Sequence, residues 1–154
     1  MGVTDTPDER YMHEALKEAE QALRAKDRPV GAIIVAQGHV NARAHHQVKL
    51  LRDPTAHAAI IAITQAANAV QSDRLPEATM YLTQEPCTMC AGALLLGGVA
   101  RLVYGAADAK RGACGSVVDI TSNEQLNRRL TVVRDVLAGE CYALLRKMMV
   151  DSQT

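Results

Sequence analysis

The chain has 154 residues, and its 17 lysines and arginines balance 17 aspartates and glutamates, giving a formal net charge of zero. This length predicts one domain, residues 1–154, that can bury a sizeable core. The balanced charge argues against a surface coated in positive charge for tight non-specific binding of nucleic acid, and it leaves a local basic patch open. The only aromatic residues are four tyrosines, so platforms for base stacking are scarce.

The N-terminus and the cysteines indicate the compartment. The opening MGVTDTPDER lacks the apolar segment of a secretory signal. No apolar run reaches the length of a membrane span, so no membrane partner is expected. Four cysteines in a chain of this size are not typical of a disulfide framework. We therefore expect a cytoplasmic protein in a reducing environment.

The first third of the chain predicts a helix followed by a pair of strands. TPDERYMHEALKEAEQALRAKD has the apolar spacing of an amphipathic helix, and Thr6 and Glu9 fit a capping box around Pro7. PVGAIIVA is a short continuous apolar run, typical of a buried strand. The QG pair then predicts a turn into a second strand over residues 39–45.

The middle of the chain predicts two apolar helices on either side of a strand. HHQVKLLR has the composition of a loop. Asp53 is expected to cap a helix that has Pro54 at its first position and runs to about Val70. ATMYLT is expected to be a strand. PCTMCAGALLLGG is expected to be a helix that begins at its proline and ends at its glycines.

The last third predicts two more strands and a final helix. ARLVYGA is expected to be a strand, and DAKRGACGS lies in a loop. A further strand near 131–134 and a helix over about 138–149 complete the chain. Strands that alternate with helices predict an α/β fold, with a mostly parallel or mixed sheet covered on both faces.

Cys87 and Cys90 form PCTMC at the start of a predicted helix. Residues three apart share one face of a helix, and a helix N-terminus stabilises thiolates. This pair suits a divalent metal, but a redox dithiol or half of a structural zinc site has the same spacing.

His57 favours an open zinc site over those alternatives. It is expected in the first turn of the preceding helix, and the intervening strand can bring the two helix starts together. One histidine and two cysteines make three protein ligands, the number typical of catalytic zinc, whereas structural zinc usually has four. Cys114 and Cys141 are isolated and are expected to be small core residues. We expect one Zn²⁺ per chain, although a lone His57 could also be a core histidine.

These motifs resemble the zinc deaminase signature, H-x-E followed by P-C-x-x-C. DPTAHA, EPCTMCAGALLL, PVGAIIV and YGAADAKRGACGS are together similar to the bacterial tRNA adenosine deaminases, which convert the wobble adenosine to inosine. The resemblance implies the three-layer α/β/α fold of cytidine deaminases, with a central mixed five-stranded sheet. It also implies a homodimer, in agreement with the apolar character of the two middle helices.

The resemblance gives zinc-ligand roles to His57, Cys87 and Cys90, and zinc makes its bound water acidic enough to react near neutral pH. In the family a glutamate two residues after the histidine carries the protons, but here Ala59 occupies that position. A methyl group cannot carry a proton. Glu85 precedes Pro86 and would need a different geometry to substitute. We therefore expect an intact metal site with severely impaired catalysis.

The substrate pocket implied by the resemblance involves Val30, Ala32, His46, Ala58, Glu85, Pro86, Asp108 and Lys110. His46 stands where the family has a nucleotide-holding asparagine, so base preference is open if it lines the pocket; it could also be an ordinary loop residue. Phosphate contacts are possible for several basic residues, although solvation is the ordinary role for most of them: Arg52, Lys110, Arg111, Arg146 and Lys147.

Three functions remain open from the sequence. The first is a deaminase of the tRNA adenosine type that is inactive because Ala59 occupies the position of the proton-carrying glutamate. The second is a deaminase of a free base or nucleoside such as guanine, cytosine or adenosine, supported by the neutral charge and the absence of a basic tail. The third is a non-enzymatic zinc protein that binds a nucleotide or a partner.

Overall fold

Five strands form one mixed sheet in the computed structural model, which describes residues 5–126, 128 and 130–152, without the side chains of 149–152. The strands are β1 (Gly31–Ala36), β2 (His39–His45), β3 (Thr79–Gln84), β4 (Arg101–Ala106) and β5 (Thr131–Val133). Their order is β2-β1-β3-β4-β5. β1 pairs antiparallel with β2 and β3, whereas β3–β4 and β4–β5 are parallel. The predicted mixed five-stranded sheet is confirmed.

Helices cover both faces of this sheet. They are α1 (Pro7–Arg24), α2 (Val48–Leu51), α3 (Ala58–Val70), α4 (Thr88–Gly97) and α5 (Ala138–Ser152), with a 3₁₀ turn at Glu124–Leu126. α3 and α4 pack with Ile34 and Met80 on one face. α1 and α5 pack with Ile33 and Tyr81 on the other. Because successive strand residues point to opposite faces, each central strand supplies two cores, and the α/β/α expectation is confirmed.

α1 begins and packs as its sequence predicts. The Thr6 hydroxyl accepts a hydrogen bond from the Glu9 backbone N–H, and the Glu9 carboxylate accepts one from the Thr6 N–H, which completes the capping box. The apolar face approaches β1 so closely that a Cβ on Gly31 would overlap the backbone of Ala15 and Ala19. Glycine at this position therefore sets the distance between the helix and the sheet.

Three local expectations were wrong: one short helix was missed and two helix starts were placed too early. The HHQVKLLR segment contains the short helix α2 rather than only a loop. α3 begins at Ala58 and not at Pro54, because the Asp53 carboxylate accepts from the Thr55 N–H and hydroxyl in a local turn instead of capping a helix. α4 begins at Thr88, two residues after Pro86.

None of the helices in the described part of the chain is long and apolar enough to cross a membrane.

A half-buried ion pair between Asp8 and Arg101 connects α1 to the sheet, and its contribution to stability should depend on pH. Arg101 donates two hydrogen bonds to Asp8, at 2.8 and 2.6 Å, and the Tyr81 hydroxyl donates a third at 2.9 Å. The Arg101 guanidinium lowers the pKa of Asp8 despite the opposing effect of burial. A carboxyl group whose pKa is lowered by folding stabilises the fold above its unfolded pKa and loses this effect as the pH falls.

We therefore predict that Asp8→Asn lowers the free energy of unfolding by about 1–3 kcal/mol at pH 7. The difference from the unmodified protein should shrink as the pH falls below about 4, where the unfolded carboxyl group is protonated. Urea denaturation at a series of pH values measures this, with Asp73→Asn at an exposed position as the control. A difference that is constant from pH 7 to pH 3 would contradict the assignment.

Candidate active site

Four chain segments meet at one end of the strands of the sheet, which is called the sheet edge below. β3 and β4 are parallel and end there, whereas β1, antiparallel to β3, begins there, and β2 returns to the same edge. Gly31 is paired with His45, and Gln84 with Ala106. The loops beyond these residues carry His46, Glu85 and Asp108 to a common place. The carboxyl ends of strands are the usual location of binding sites in α/β sheets.

His57, Cys87 and Cys90 converge at this edge. His57 and Cys87 are the N-cap residues of α3 and α4, and Cys90 lies in the first turn of α4. The His57 Nδ1 is 3.6 Å from the Cys87 Sγ and 3.5 Å from the Cys90 Sγ. All three candidate ligand atoms lie within 4.8 Å of one another. A tetrahedral zinc with ordinary bond lengths would separate a nitrogen and a sulfur ligand by about 3.5 Å, so the donor set and its spacing both fit this ion.

The two cysteines are electrostatically unlike each other. A hydrogen bond from the Cys90 thiol lowers the pKa of Cys87 to about 3, with further help from His57 and against the effect of burial. The bond to Cys87, together with burial, raises the pKa of Cys90 above its usual range. Of the two thiols, Cys87 therefore loses its proton more readily, and a divalent cation binds cysteine as the thiolate.

His46 holds His57 in place and caps α3. Its Nδ1 accepts a hydrogen bond of 2.9 Å from the Ala58 backbone N–H, which supplies the cap that Asp53 does not. Its ring stacks on that of His57, with centroids 4.6 Å apart. Burial and the nearby His57 and Arg28 lower the pKa of His46 to about 3. Because Nδ1 accepts, the neutral ring carries its proton on Nε2 and is a hydrogen-bond donor there.

A cavity of about 370 Å³ opens over the three candidate ligands, a size within the range of small-molecule sites. His46, Val30, Glu85, Pro86 and Asp108 line it, as the resemblance implied. Ala59 also lines the cavity and is only 1% exposed, so a side chain at this position would point at the bound ligand or pack against it.

Three other expected pocket residues have a different place. Ala32 is buried in the core beneath the cavity, and Ala58 contributes a backbone N–H to His46. Lys110 is exposed and is not among the described residues that line the cavity. Of the basic residues considered for phosphate contacts, only Arg111 lines it, whereas Lys147 lines a groove between α1 and α5.

Glu85 binds the loop after β4, a structural role that the sequence did not predict. It is 3% exposed, and its carboxylate accepts hydrogen bonds from the backbone N–H groups of Asp108, Cys114 and Ser116, and from the Ser116 hydroxyl. Burial alone would raise the pKa of Glu85, but these donors outweigh it and lower the pKa. With both oxygens engaged, Glu85 is not free to carry protons, as the sequence analysis expected.

Sequence reasoning missed one side of the cavity, which is formed by the connection between α1 and β1, by α2 and by the end of β3. The residues are Asp27, Arg28, Val48, Lys49 and Gln84. Asp27 is 4% exposed and accepts hydrogen bonds from the N–H groups of Arg28 and Lys49, so it fixes α2 against the start of β1. An aspartate next to an arginine before a buried strand was the available signal, but its partner is 22 residues away.

Residues 6–141 match the family of MafB19-like deaminases. The chain belongs to this family. The tRNA-specific adenosine deaminase of Bacillus subtilis is 41% identical over 140 residues, which cover 91% of this chain and 87% of the relative. The assignment to the deaminase superfamily, with likeness to bacterial tRNA adenosine deaminases, is therefore confirmed.

Solved deaminase structures share the fold. A tRNA:A34 deaminase, studied for A-to-I editing at the wobble position of transfer RNA, superposes with a TM-score of 0.85 at 38% identity, covering 88% of this chain and 98% of its own. The guanine deaminase of Nitrosomonas europaea superposes with a TM-score of 0.82 at 25% identity, covering 97% and 87%. The cytidine-deaminase-like architecture of this deaminase is thus confirmed.

We predict one zinc ion per chain at His57, Cys87 and Cys90. Elemental analysis of the purified protein should find close to one equivalent, and Cys87→Ala should lose most of it because two protein ligands hold zinc poorly. Cys141→Ala is the matched control, since this buried thiol lies in the other core. Full zinc in Cys87→Ala, or a disulfide between Cys87 and Cys90, would disprove the site.

Proposed function

We propose that this chain is a zinc-dependent hydrolytic deaminase of the tRNA adenosine-to-inosine type and that Ala59 leaves it severely impaired. The observation that carries the proposal is the placement of Ala59 in the cavity wall, two residues after His57 and above the cluster of candidate ligands. Residues 1–154 would form a single deaminase domain. A tRNA substrate would place the protein in the cytoplasm.

The residues divide the chemistry between them. Zinc bound by His57, Cys87 and Cys90 would supply an activated water near neutral pH. His46 and the α3 start orient His57, and the Glu85 network shapes the cavity wall. Hydrolytic deamination also moves protons from water to the ring nitrogen and the departing ammonia. The Ala59 methyl cannot carry them, and Glu85 is already engaged.

The relatives support RNA as the substrate, because the Bacillus subtilis enzyme and the tRNA:A34 deaminase are the more similar in sequence. The likeness to a guanine deaminase supports a second candidate, a free base or nucleoside substrate. His46 favours this second candidate, because its single Nε2–H donor differs from the asparagine amide expected at that position. A non-catalytic zinc protein that binds nucleotides is the third candidate, and Ala59 itself favours it.

Ala59→Glu should restore deamination. General acid–base catalysis contributes about 10²–10⁴-fold, so we expect a rate increase of at least that order. The assay is ammonia release from a tRNA anticodon stem-loop and, separately, from free adenine, adenosine, guanine, cytosine and cytidine. The matched control is Ala62→Glu, one turn further along the same buried helix, which should bury an unpaired charge without activating the protein.

The substrate pattern decides between the candidates. Activity on the RNA alone supports the tRNA type, and activity on a base or nucleoside supports the second candidate. A folded, zinc-loaded Ala59→Glu protein that is inactive on every substrate would contradict both enzymatic functions and leave nucleotide binding.

The protein is further proposed to be a homodimer through α3 and α4. Leu96 on α4 is 72% exposed and Val70 on α3 is 45% exposed, a large apolar exposure for helices that already cover the sheet. Sedimentation at micromolar concentration should show a dimer that Leu96→Glu dissociates. Ala25→Glu, at an exposed position after α1, is the control. A stable monomer of the unmodified protein would refute this assembly.

A further inference from the structure

The carboxylates that line the cavity are occupied by backbone donors. Asp27 accepts from the N–H groups of Arg28 and Lys49. Asp108 accepts from those of Lys110 and Arg111, at 3.0 and 3.1 Å. The Glu85 carboxylate binds the loop after β4, as described above. Asp27 and Glu85 are thus bonded through both oxygens and Asp108 through Oδ1, and none of the three forms an ion pair within 4.0 Å with a basic side chain that the structure describes.

The basic side chains of the cavity are left without such partners. Arg28, Lys49 and Arg111 line it, and none forms an ion pair within 4.0 Å with any residue that the structure describes. The formal charges of the three bases and the three carboxylates cancel, but both oxygens of Asp27 and of Glu85 already accept hydrogen bonds, whereas the three basic groups retain donors for a ligand.

Arg28 is the one basic group that is also held in position. Its Nε donates a hydrogen bond of 2.9 Å to the Oε1 of Gln84, a residue at the end of β3 that is 7% exposed. Its backbone N–H and carbonyl are bonded to the Asp27 carboxylate and the Val30 N–H. This anchoring leaves the two terminal nitrogens of the guanidinium for a ligand.

We propose that Arg28 is a phosphate-binding residue of the cavity and takes a phosphate group of the substrate nucleotide. A guanidinium fork matches two phosphate oxygens, and a fork held by Gln84 loses little freedom on binding. Lys49 extends the basic wall, because its N–H shares the Asp27 carboxylate with that of Arg28. The proposal rests on the proposed function for the identity of the cavity, and it assigns no base.

The phosphate could belong to a free mononucleotide or to an RNA strand, so the experiment has two arms. In the first, calorimetry measures the dissociation constants of adenosine and adenosine 5′-monophosphate, and of cytidine and cytidine 5′-monophosphate, for zinc-loaded protein. In the second, an RNA hairpin with adenosine in its loop is titrated. The variants are Arg28→Gln, Arg28→Lys and, as the matched loss of a surface cation, Arg24→Gln at an exposed position of α1.

If the phosphate belongs to a free mononucleotide, we expect the unmodified protein to bind the monophosphate at least about tenfold more tightly than its nucleoside. If it belongs to an RNA strand, we expect Arg28→Gln to bind the hairpin about tenfold more weakly than the unmodified protein does. Nucleoside affinity and the melting temperature should change little, and Arg24→Gln should behave as the unmodified protein. Arg28→Lys should retain part of the effect, because it keeps the charge and loses the fork. The Arg28→Lys variant serves as the test if Arg28→Gln does not fold.

Two results would overturn the proposal. One is equal affinity for nucleoside and monophosphate together with unchanged hairpin affinity in Arg28→Gln. The other is a loss of affinity in Arg28→Gln that is equal for nucleosides and their monophosphates, which would make Arg28 only a structural link to Gln84. Failure of the proposed function can be told apart from failure of this proposal. If the proposed base is wrong, the ranking of adenosine and cytidine affinities changes, but the gain in affinity that the phosphate adds within each pair does not.

Discussion

The site depends on one buried carboxylate at the end of β3. Glu85 binds three backbone N–H groups and a hydroxyl of the loop after β4, so the loop closes over the sheet edge at a fixed distance. A Cβ on Gly112 would overlap this carboxylate, so the loop can approach only at a glycine. Because Cys87 follows Glu85 by two residues, the same anchor positions the cysteine end of α4. A buried charge is tolerated here because every oxygen has donors.

His46 has a similar structural role at the start of α3. His46 leaves β2, accepts the first free N–H of α3 and stacks on His57. The two helix starts that carry the candidate ligands are thus each tied to the end of a strand, one through Glu85 and one through His46. The positions of the candidate ligands are consequently set by the sheet edge and not by the helices alone.

This separation explains how the fold can retain a metal-like donor set beside Ala59. The residues that hold His57, Cys87 and Cys90 together are hydrogen-bonded to backbone and to each other, and none of these bonds involves position 59. Position 59 faces the cavity from the first turn of a buried helix, so alanine satisfies the packing there without any polar partner. In the proposed function, zinc binding and proton transfer would therefore be carried by different residues.

The sequence by itself determined the alternation of elements, the two cores of the sheet and the group of His57, Cys87 and Cys90, because hydrophobic period and motif spacing are local properties of the chain. It also singled out Ala59, since the signature fixes that position relative to His57. It placed the starts of α3 and α4 too early, because Pro54 and Pro86 suit a helix start locally. The start of α3 is instead capped by the distant His46, and α4 begins after the N-cap residue Cys87. The roles of Glu85, His46, Asp27 and Arg28 were decided only by tertiary structure. Their partners lie 12 to 56 residues away along the chain, and no local pattern records a hydrogen bond between segments that meet only when the sheet has formed.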